Sequence, residues 1–345
     1  MTPTTTPTRV RIAVIGAGRI GASHAALLAR RVPEADLVAV VDPRPGAAAE
    51  VAGSLGARAS TSVEEVLADR DVDAVVISAS STVHHDLIVA AARAGKHIFC
   101  EKPAGMSLAD IDDARRAAAD AGVVLQVGFN RRFATDFAAA REAIDDGRIG
   151  EPRLLRSLTR DPGDGPADPD AVPLWTIFTQ TLIHDFDTLN WLNPGARAVE
   201  VTAVGDALIH PEARERGHLD TAVVVIRYDN GAIATAEACF AAAYGYDVRG
   251  EVLGSRGMVT MGDGAVSSLR VHDTRGRTAA TAHSDVELMR DAYTAELAEL
   301  CHAVLEHRAP TVGADDAFAA FAIAQAAIDS VRSGGAAAVA TQVPA

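Results

Sequence analysis

The sequence predicts an α/β fold: an N-terminal doubly wound parallel sheet, then an α+β domain built on a large, mostly antiparallel open sheet. Three observations carry the prediction. Short apolar runs alternate with Ala-rich helical segments through residues 9–128, the pattern of strands joined by crossover helices. Beyond residue 150, strand-like runs follow one another without helices between them, which hairpins allow and parallel crossovers do not. Two long helical patterns close the chain.

The first apolar run, Val10–Ile15, is a strand, and Arg19–Arg31 continues with helical periodicity. A second strand over 37–41 ends at Asp42. Buried runs at 74–78, 97–100 and 123–127 supply three more strands, with helices over about 47–55, 87–94 and 108–121 between the runs. Gly95 and Gly122 stand where helix C-caps belong, because glycine accepts the left-handed conformation that ends a helix. A helix over 135–146 follows, and then Gly147 and Gly150-Glu151-Pro152 punctuate the chain. Strands are expected over 153–159, 199–208, 221–228, 232–240, 248–253 and 258–261. Asp229-Asn230-Gly231 between two of them predicts a type I′ hairpin turn, since Asn-Gly tolerates positive φ. The Pro/Gly/Asp-rich stretch 161–173 reads as a loop, and helices over 286–307 and 314–332 end the fold. The boundary falls near Gly128, giving domains over 9–128 and 129–345.

Composition narrows the function classes. The 345 residues suffice for two domains, and 48% hydrophobic against 23% charged residues is the balance of a soluble globular protein. Lys+Arg number 32 against 46 Asp+Glu, and a net charge of −14 repels nucleic acid as a partner. Cys100, Cys239 and Cys301 lack CxxC spacing, so neither a disulfide framework nor a zinc site follows, and they fit a reducing cytoplasm. The Thr/Pro-rich start has no apolar core and does not read as a signal peptide. No apolar run is long enough to span a bilayer, so no membrane partner is expected.

The cofactor signal is the turn Gly16-Ala17-Gly18-Arg19-Ile20-Gly21, which follows a strand and opens a helix. Its glycines permit a tight turn and close approach of backbone to a pyrophosphate, and the helix N-terminus adds amide donors and a positive dipole. Asp42 ends the second strand, where a carboxylate bonds the ribose hydroxyls of a dinucleotide. The domain over 9–128 therefore reads as a Rossmann domain. A carboxylate repels a 2′-phosphate, so Asp42 favours NAD; NADP stays possible because Arg44 could pair with such a phosphate, although a solvated surface charge is the plainer reading of Arg44.

Glu101-Lys102-Pro103 closes the buried run His97-Ile98-Phe99-Cys100. A lysine at the carboxyl end of a parallel strand can reach a substrate beside the cofactor. If neighbours and burial lower its pKa, it can also help take a hydroxyl proton. Ser78-Ala79-Ser80-Ser81-Thr82 ends the third buried run, a turn that faces the nicotinamide side, with His84 either a cofactor contact or simply the start of the next helix. Gly16, Gly18, Arg19, Ile20, Gly21, Asp42, Ser80, His84, Glu101 and Lys102 are the expected cofactor contacts. In Ile183-His184-Asp185-Phe186-Asp187, a helical pattern that begins near Thr179, Gln180 and His184 stand four apart and share a face. A histidine there can serve as acid or base. No ligand-spaced cluster argues for a metal.

The chain resembles the Gfo/Idh/MocA oxidoreductases, and among them the inositol 2-dehydrogenase group. The resemblance covers nearly all of residues 9–335. It rests on Gly16 through Gly21, Glu101-Lys102-Pro103, Gly128-Phe129-Asn130-Arg131-Arg132-Phe133, Ile183-His184-Asp185-Phe186-Asp187, Gly217-His218-Leu219-Asp220-Thr221-Ala222, Tyr244-Gly245-Tyr246-Asp247 and Glu251-Val252-Leu253-Gly254-Ser255. It implies NAD-dependent oxidation of a secondary alcohol of a cyclic polyol or sugar to the ketone. Lys102 and His184 would be the catalytic pair, with Arg132 and Tyr244 lining the substrate pocket. A homotetramer is implied too, often built through the open sheet. One departure stands out. Where the group keeps an aspartate four residues before the histidine, this chain has Gln180, which both donates and accepts and carries no charge. Gln180 then joins the substrate-binding set, and the pocket takes a different hydroxyl pattern or tunes His184 differently. The alternatives are an NAD(P)-dependent sugar or amino-sugar dehydrogenase or reductase of the same family and, from another class, an NAD sensor without catalysis, against which the presence of both Lys102 and His184 speaks.

Overall fold

The computed structural model describes residues 9–163, 165, 168, 172–265, 267 and 269–343. The first residues of the chain and part of the expected 161–173 loop lie outside them. The chain divides into two compact units: residues up to Phe133 with Asp291–Phe318, and Ala134–Arg290 with Ala319 onward.

The first unit carries β1 (Val10–Ile15), β2 (Ala35–Val41), β3 (Arg58–Ser60), β4 (Ala74–Ile77), β5 (His97–Glu101) and β6 (Leu125–Gly128). They form one parallel sheet in the order β3-β2-β1-β4-β5-β6. The chain reverses direction across the sheet between β1 and β4, where open α/β sheets bind ligands at the carboxyl ends of their strands. Ile12, Ala13, Val14, Val75, Val76, Ile98 and Phe99 have no exposed surface. Burial on both faces explains why these strands read as unbroken apolar runs. The helices are α1 (Arg19–Arg31), α2 (Pro45–Leu55), α3 (Val63–Ala68), α4 (His84–Arg93) and α5 (Leu108–Ala121). Gly122 closes α5 at φ 66°, in the expected left-handed cap. β3 and α3 were not legible in the sequence: β3 is a three-residue edge strand with no buried residue, and α3 buries only Val66.

The second unit holds α6 (Thr135–Asp145), β7 (Pro152–Pro162), α7 (Ile183–Trp191), β8 (Ala198–Asp206), β9 (Thr221–Tyr228), β10 (Ile233–Ala242), β11 (Asp247–Gly254) and β12 (Met258–Met261). A small hairpin of β13 (Val271–Asp273) and β14 (Gly276–Thr278) and the helix α8 (Asp285–Leu288) follow. α9 (Arg290–Leu305) leads back to the first unit, α10 (Ala314–Ser333) begins there and ends in the second, and β15 (Ala337–Ala338) closes the chain. The sheet order is β12-β11-β7-β10-β9-β8-β15. Its pairings are antiparallel except β7 with β10.

Three local expectations change. The units divide at Phe133 rather than near Gly128, and α9 returns to the first. The reason is packing: Leu297, Leu300 and Cys301 of α9 are fully buried, and Gln126 of β6 donates from Nε2 to the Glu296 carbonyl at 2.7 Å. The single helix expected over 286–307 is two, because Met289 leaves helical geometry between α8 and α9. The β9–β10 hairpin forms, but its turn is not type I′. Gly231 has φ 86° whereas Asn230 does not take positive φ; Asn230 instead accepts the Ala232 amide at 3.1 Å through its side chain. Gly231 alone supplies the left-handed residue, as in hairpins that end on a glycine bulge.

The two faces of the second sheet differ. Ala234, Ala236 and Ala238 of β10 are buried. On the α7 side, the Asp185 carboxylate accepts the hydroxyls of Ser157 and Thr159 of β7 at 2.5 and 2.6 Å. The opposite face exposes Leu154, Val204, Val223, Val225, Ile233 and Leu253 across five strands, with Val204 72% exposed.

Candidate active site

The glycine turn after β1 has a different steric reason at each glycine. Gly16 takes φ 103°, and a Cβ on it would stand 2.7 Å from backbone atoms of Ser78 and Ala79 at the end of β4. A Cβ on Gly21 would lie 1.8 Å from the Gly16 carbonyl oxygen, so α1 can approach the turn only through glycine. Gly18 differs: a Cβ there meets nothing within 4 Å. Gly18 is also the N-cap of α1, and no side chain caps that helix end. An open cradle over uncapped amides, beside two glycines forced by packing, fits a dinucleotide pyrophosphate. Arg19 is exposed and Ile20 half-buried at the start of α1.

Asp42 is nearly buried. Its carboxylate accepts the Ala17 amide at 2.9 Å, which ties the end of β2 to the glycine turn, and it accepts Arg44 three times. The Arg44 hydrogen bonds, with the Ala17 amide, outweigh burial and lower the Asp42 carboxyl to about 2. Arg44 is therefore more than a solvated charge: 69% of its side chain is exposed, yet the guanidinium lies against Asp42. Four donors fill a carboxylate's capacity, so a ribose hydroxyl that bonded Asp42 would have to displace the exposed Arg44 side chain. Replacing Asp42 by Ala should weaken NAD binding roughly tenfold to a hundredfold, the worth of charged hydrogen bonds. It should also narrow the gap to NADP by releasing Arg44. Parallel kcat/KM values for both cofactors check this; a native preference for NADP would overturn the role given to Asp42.

At the end of β5, Glu101 Oε1 lies 2.7 Å from His24 Nε2 of α1. Phe99 and Tyr293 meet the His24 ring edge-on at 5.6 and 5.4 Å. Burial would raise the Glu101 carboxyl, but His24, Lys102 and His84 hold it below the usual carboxylate range. Lys102 follows directly, half-buried at the carboxyl end of the strand. His84 opens α4 and is buried. Its Nδ1 lies 2.8 Å from the Pro103 carbonyl and its Nε2 3.0 Å from the Ala79 carbonyl, so the ring braces the β4 and β5 loops against each other. Ser80 is exposed, with its hydroxyl 3.1 Å from that of Thr82. Arg132 is buried and pairs with Asp316 at 2.8 Å.

In the second unit, His184 lies half-buried in the first turn of α7. The Asp185 bonds to β7 fix that turn, and Thr188 donates to the His184 carbonyl at 2.7 Å. Gln180 is not on the same regular helix. It belongs to a wider π turn, Ile177–Thr181, in which the Leu182 amide reaches back to the Ile177 carbonyl. The four-residue spacing to His184 thus crosses a change of helical pitch, a feature frequent at functional sites. Just before it, Trp175 takes φ 66°, uncommon for a bulky residue, stacked on Phe178 with Arg332 over its ring at 5.0 Å. Tyr244 is 52% exposed. Its hydroxyl donates to Asp247 at 2.6 Å and accepts from Arg160 at 3.1 Å. Arg160 alternates with Ser157 and Thr159 along β7, which puts the Tyr244 hydroxyl on the sheet face opposite α7.

Sequence reasoning missed Asp316, His24 and Glu296. His24, Glu101 and Glu296 bring their ligand-type atoms within 4.8 Å of one another. The signal was a charged residue at a core position: Glu296 stands beside Leu297 and one turn before Leu300, all fully buried.

Comparison with known proteins places these features. The oxidoreductase family with an NAD-binding Rossmann fold matches residues 10–129, and the GFO/IDH/MocA C-terminal domain matches residues 137–260. The chain is 37% identical over 325 residues to myo-inositol 2-dehydrogenase of Thermotoga maritima, covering 94% of this chain and 96% of that one. It is 36% identical to scyllo-inositol 2-dehydrogenase (NAD(+)) of Bacillus subtilis, covering 94% and 95%. Scyllo-inositol dehydrogenase from Lactobacillus casei, solved with NAD(H) and scyllo-inositol, superposes with a TM-score of 0.92 at 26% identity over 96% of this chain and all of that one. The six-stranded sheet, its glycine turn, the lysine at the end of β5 and a match along nearly the whole chain place this protein in the GFO/IDH/MocA family of NAD-binding oxidoreductases.

Proposed function

We propose that this protein oxidises one secondary hydroxyl of a cyclic polyol, an inositol or a related cyclitol, to the ketone with NAD. The observation that carries the reaction class is Lys102 at the carboxyl end of β5, in the sheet whose first strand ends in the glycine turn. The substrate class follows from the inositol dehydrogenases to which the chain is similar along its length. The bound nicotinamide supplies the hydride acceptor. Lys102 and His184 accept the hydroxyl proton, directly or in relay. Arg132, held by Asp316, and Gln180 position the other hydroxyls. Tyr244 is a substrate contact in the assembled oligomer, because within one chain its hydroxyl faces away from α7.

Gln180 favours a second reading within the family, a pyranose or amino sugar as substrate. A carboxylate cannot donate a hydrogen bond and an amide can, and an unpaired buried polar group costs about 1–3 kcal/mol. That is enough to reorder a substrate panel. We expect myo-inositol to be a poor substrate beside another cyclitol or a pyranose, and Gln180→Asp to shift the ranking toward it. NADH formation across a panel of cyclitols and sugars, with NAD and with NADP, measures this. Efficient native oxidation of myo-inositol with an unchanged ranking in Gln180→Asp would strip Gln180 of its role, and no dehydrogenation of any polyol or sugar would sink the function itself.

The six apolar residues on the open sheet face support a homotetramer formed through that sheet. Light scattering should give a tetramer mass; a monomer would refute it. Among the described residues no helix is long and apolar enough to cross a membrane, and the three cysteines are unpaired. The unpaired cysteines support a cytoplasmic enzyme.

A further inference from the structure

Next to Lys102 lies a trio that the proposed reaction does not use, His24 on α1 and Glu296 on α9, both buried, with the largely buried Glu101 of β5. His24 and Glu296 have no exposed surface. Neither carboxylate oxygen of Glu296 has a hydrogen-bond partner among the described residues, and the same is true of His24 Nδ1 and Gln126 Oε1. Gly128 pairs with Glu101 across β5 and β6, and a Cβ there would stand 3.2 Å from Glu101 Oε2, so glycine leaves the carboxylate its place. A metal ion does not suit the trio. His24 and Glu101 are already bonded at 2.7 Å, whereas two ligands of a tetrahedral zinc stand roughly 3.3 Å apart.

Two carboxylates this close in a dry site do not both ionise. His24 bonds Glu101 and the Lys102 charge lies near it, which favours the anion there. Burial first, and then the Glu101 charge, push the Glu296 carboxyl well above its usual range. The titratable groups facing Glu101 are His24 from α1, Glu296 from α9, His84 from the start of α4, and Cys100 and Lys102 on its own strand end.

We propose that Glu296 is a positioning residue: it keeps a proton at the trio, so that Glu101 is the single anion there, and that fixed charge sets the proton affinity of Lys102. The proposal rests on the reading of Lys102 as the proton-transferring lysine, but its test needs no turnover.

The chain contains two lysines, Lys96 and Lys102. Full-length enzyme labelled with 13C at lysine Cε therefore gives two side-chain signals, and Lys102→Met assigns them. Glu101→Gln should lower the Lys102 titration midpoint by about one pH unit or more, since a nearby opposite charge shifts a pKa by about 1–3 units. Glu296→Gln replaces a neutral acid by a neutral amide of the same shape and should leave the midpoint in place. Infrared difference spectra in light and heavy water should show a buried protonated-carboxyl stretch at neutral pH that Glu296→Gln removes. A midpoint indifferent to Glu101→Gln, or the absence of that band in the unaltered enzyme, overturns the proposal. If Glu101→Gln fails to fold, the infrared spectrum of the unaltered enzyme still decides it. Full turnover in Lys102→Met would sink the catalytic reading of Lys102 and leave both spectroscopic readouts standing.

Discussion

Lys102→Met should lower turnover by roughly a hundredfold or more, in line with the contribution of a general acid–base group, while NAD affinity stays nearly unchanged. Methionine keeps the length and apolar stem of lysine and removes only the ammonium, so the fold should tolerate it. No other lysine can take over. The one remaining, Lys96, is buried, and its ammonium is bound to the carbonyls of Asp69 and Val72 at 2.6 and 2.8 Å. His184→Ala should cost a similar factor. Asp185 accepts the Ser157 and Thr159 hydroxyls of β7, bonds that keep α7 anchored when the imidazole is removed. Steady-state turnover of each variant, with cofactor binding titrated by fluorescence, separates the proton-transfer role from a binding role. Near-native turnover in either variant ends that residue's assignment. A large loss of NAD affinity in Lys102→Met would move Lys102 from proton transfer to holding the cofactor.

What the sequence shows of this protein follows from how local each signal is. β1, the glycine turn and α1 are legible because burial on both strand faces, a forced glycine and a helical period coincide within one stretch of chain. α5 is legible to the residue because Ser107 caps its start and Gly122 its end. β3 is illegible because an exposed edge strand of three residues carries no pattern. The return of α9 to the first unit is illegible for another reason. It depends on contacts such as Gln126 with Glu296, 170 residues apart, which no window along the chain contains. The site divides the same way. Lys102 is readable from its strand and Asp42 from its spacing to the turn, while Asp316 beside Arg132 and His24 beside Glu101 are brought together only by folding. Arg44 shows the limit of composition: it is mostly exposed, as a surface charge would be, and still completes the environment of Asp42. The π turn before α7 lies beyond periodicity altogether, because its one-residue widening leaves the apolar spacing almost intact.

Gly21→Ala should all but abolish NAD binding and destabilise the first unit, whereas Gly18→Ala should impair NAD binding alone. The two glycines stand three residues apart in one turn, but they are glycine for different reasons. At Gly21 a Cβ would lie 1.8 Å from the Gly16 carbonyl oxygen, a backbone atom that cannot swing aside. Gly16 cannot retreat, since it already sits within contact of Ser78 and Ala79 at φ 103°. α1 must therefore shift off the turn, at a cost on the order of 1–3 kcal/mol or more for overpacking, and the amides that should hold the pyrophosphate move with it. At Gly18 the Cβ meets no protein atom, and φ of −74° suits any residue. Alanine there loses a little as an N-cap and gains a little by restricting the unfolded chain, so the stability of the free protein should change by less than about 1 kcal/mol. Its methyl group instead takes space that the cofactor's backbone contacts need. Thermal unfolding of both variants without cofactor, set beside calorimetric NAD binding, tests the distinction: Gly21→Ala loses both, Gly18→Ala only the second. If Gly18→Ala binds NAD as tightly as the unaltered protein, the open space at Gly18 is not where the pyrophosphate lies.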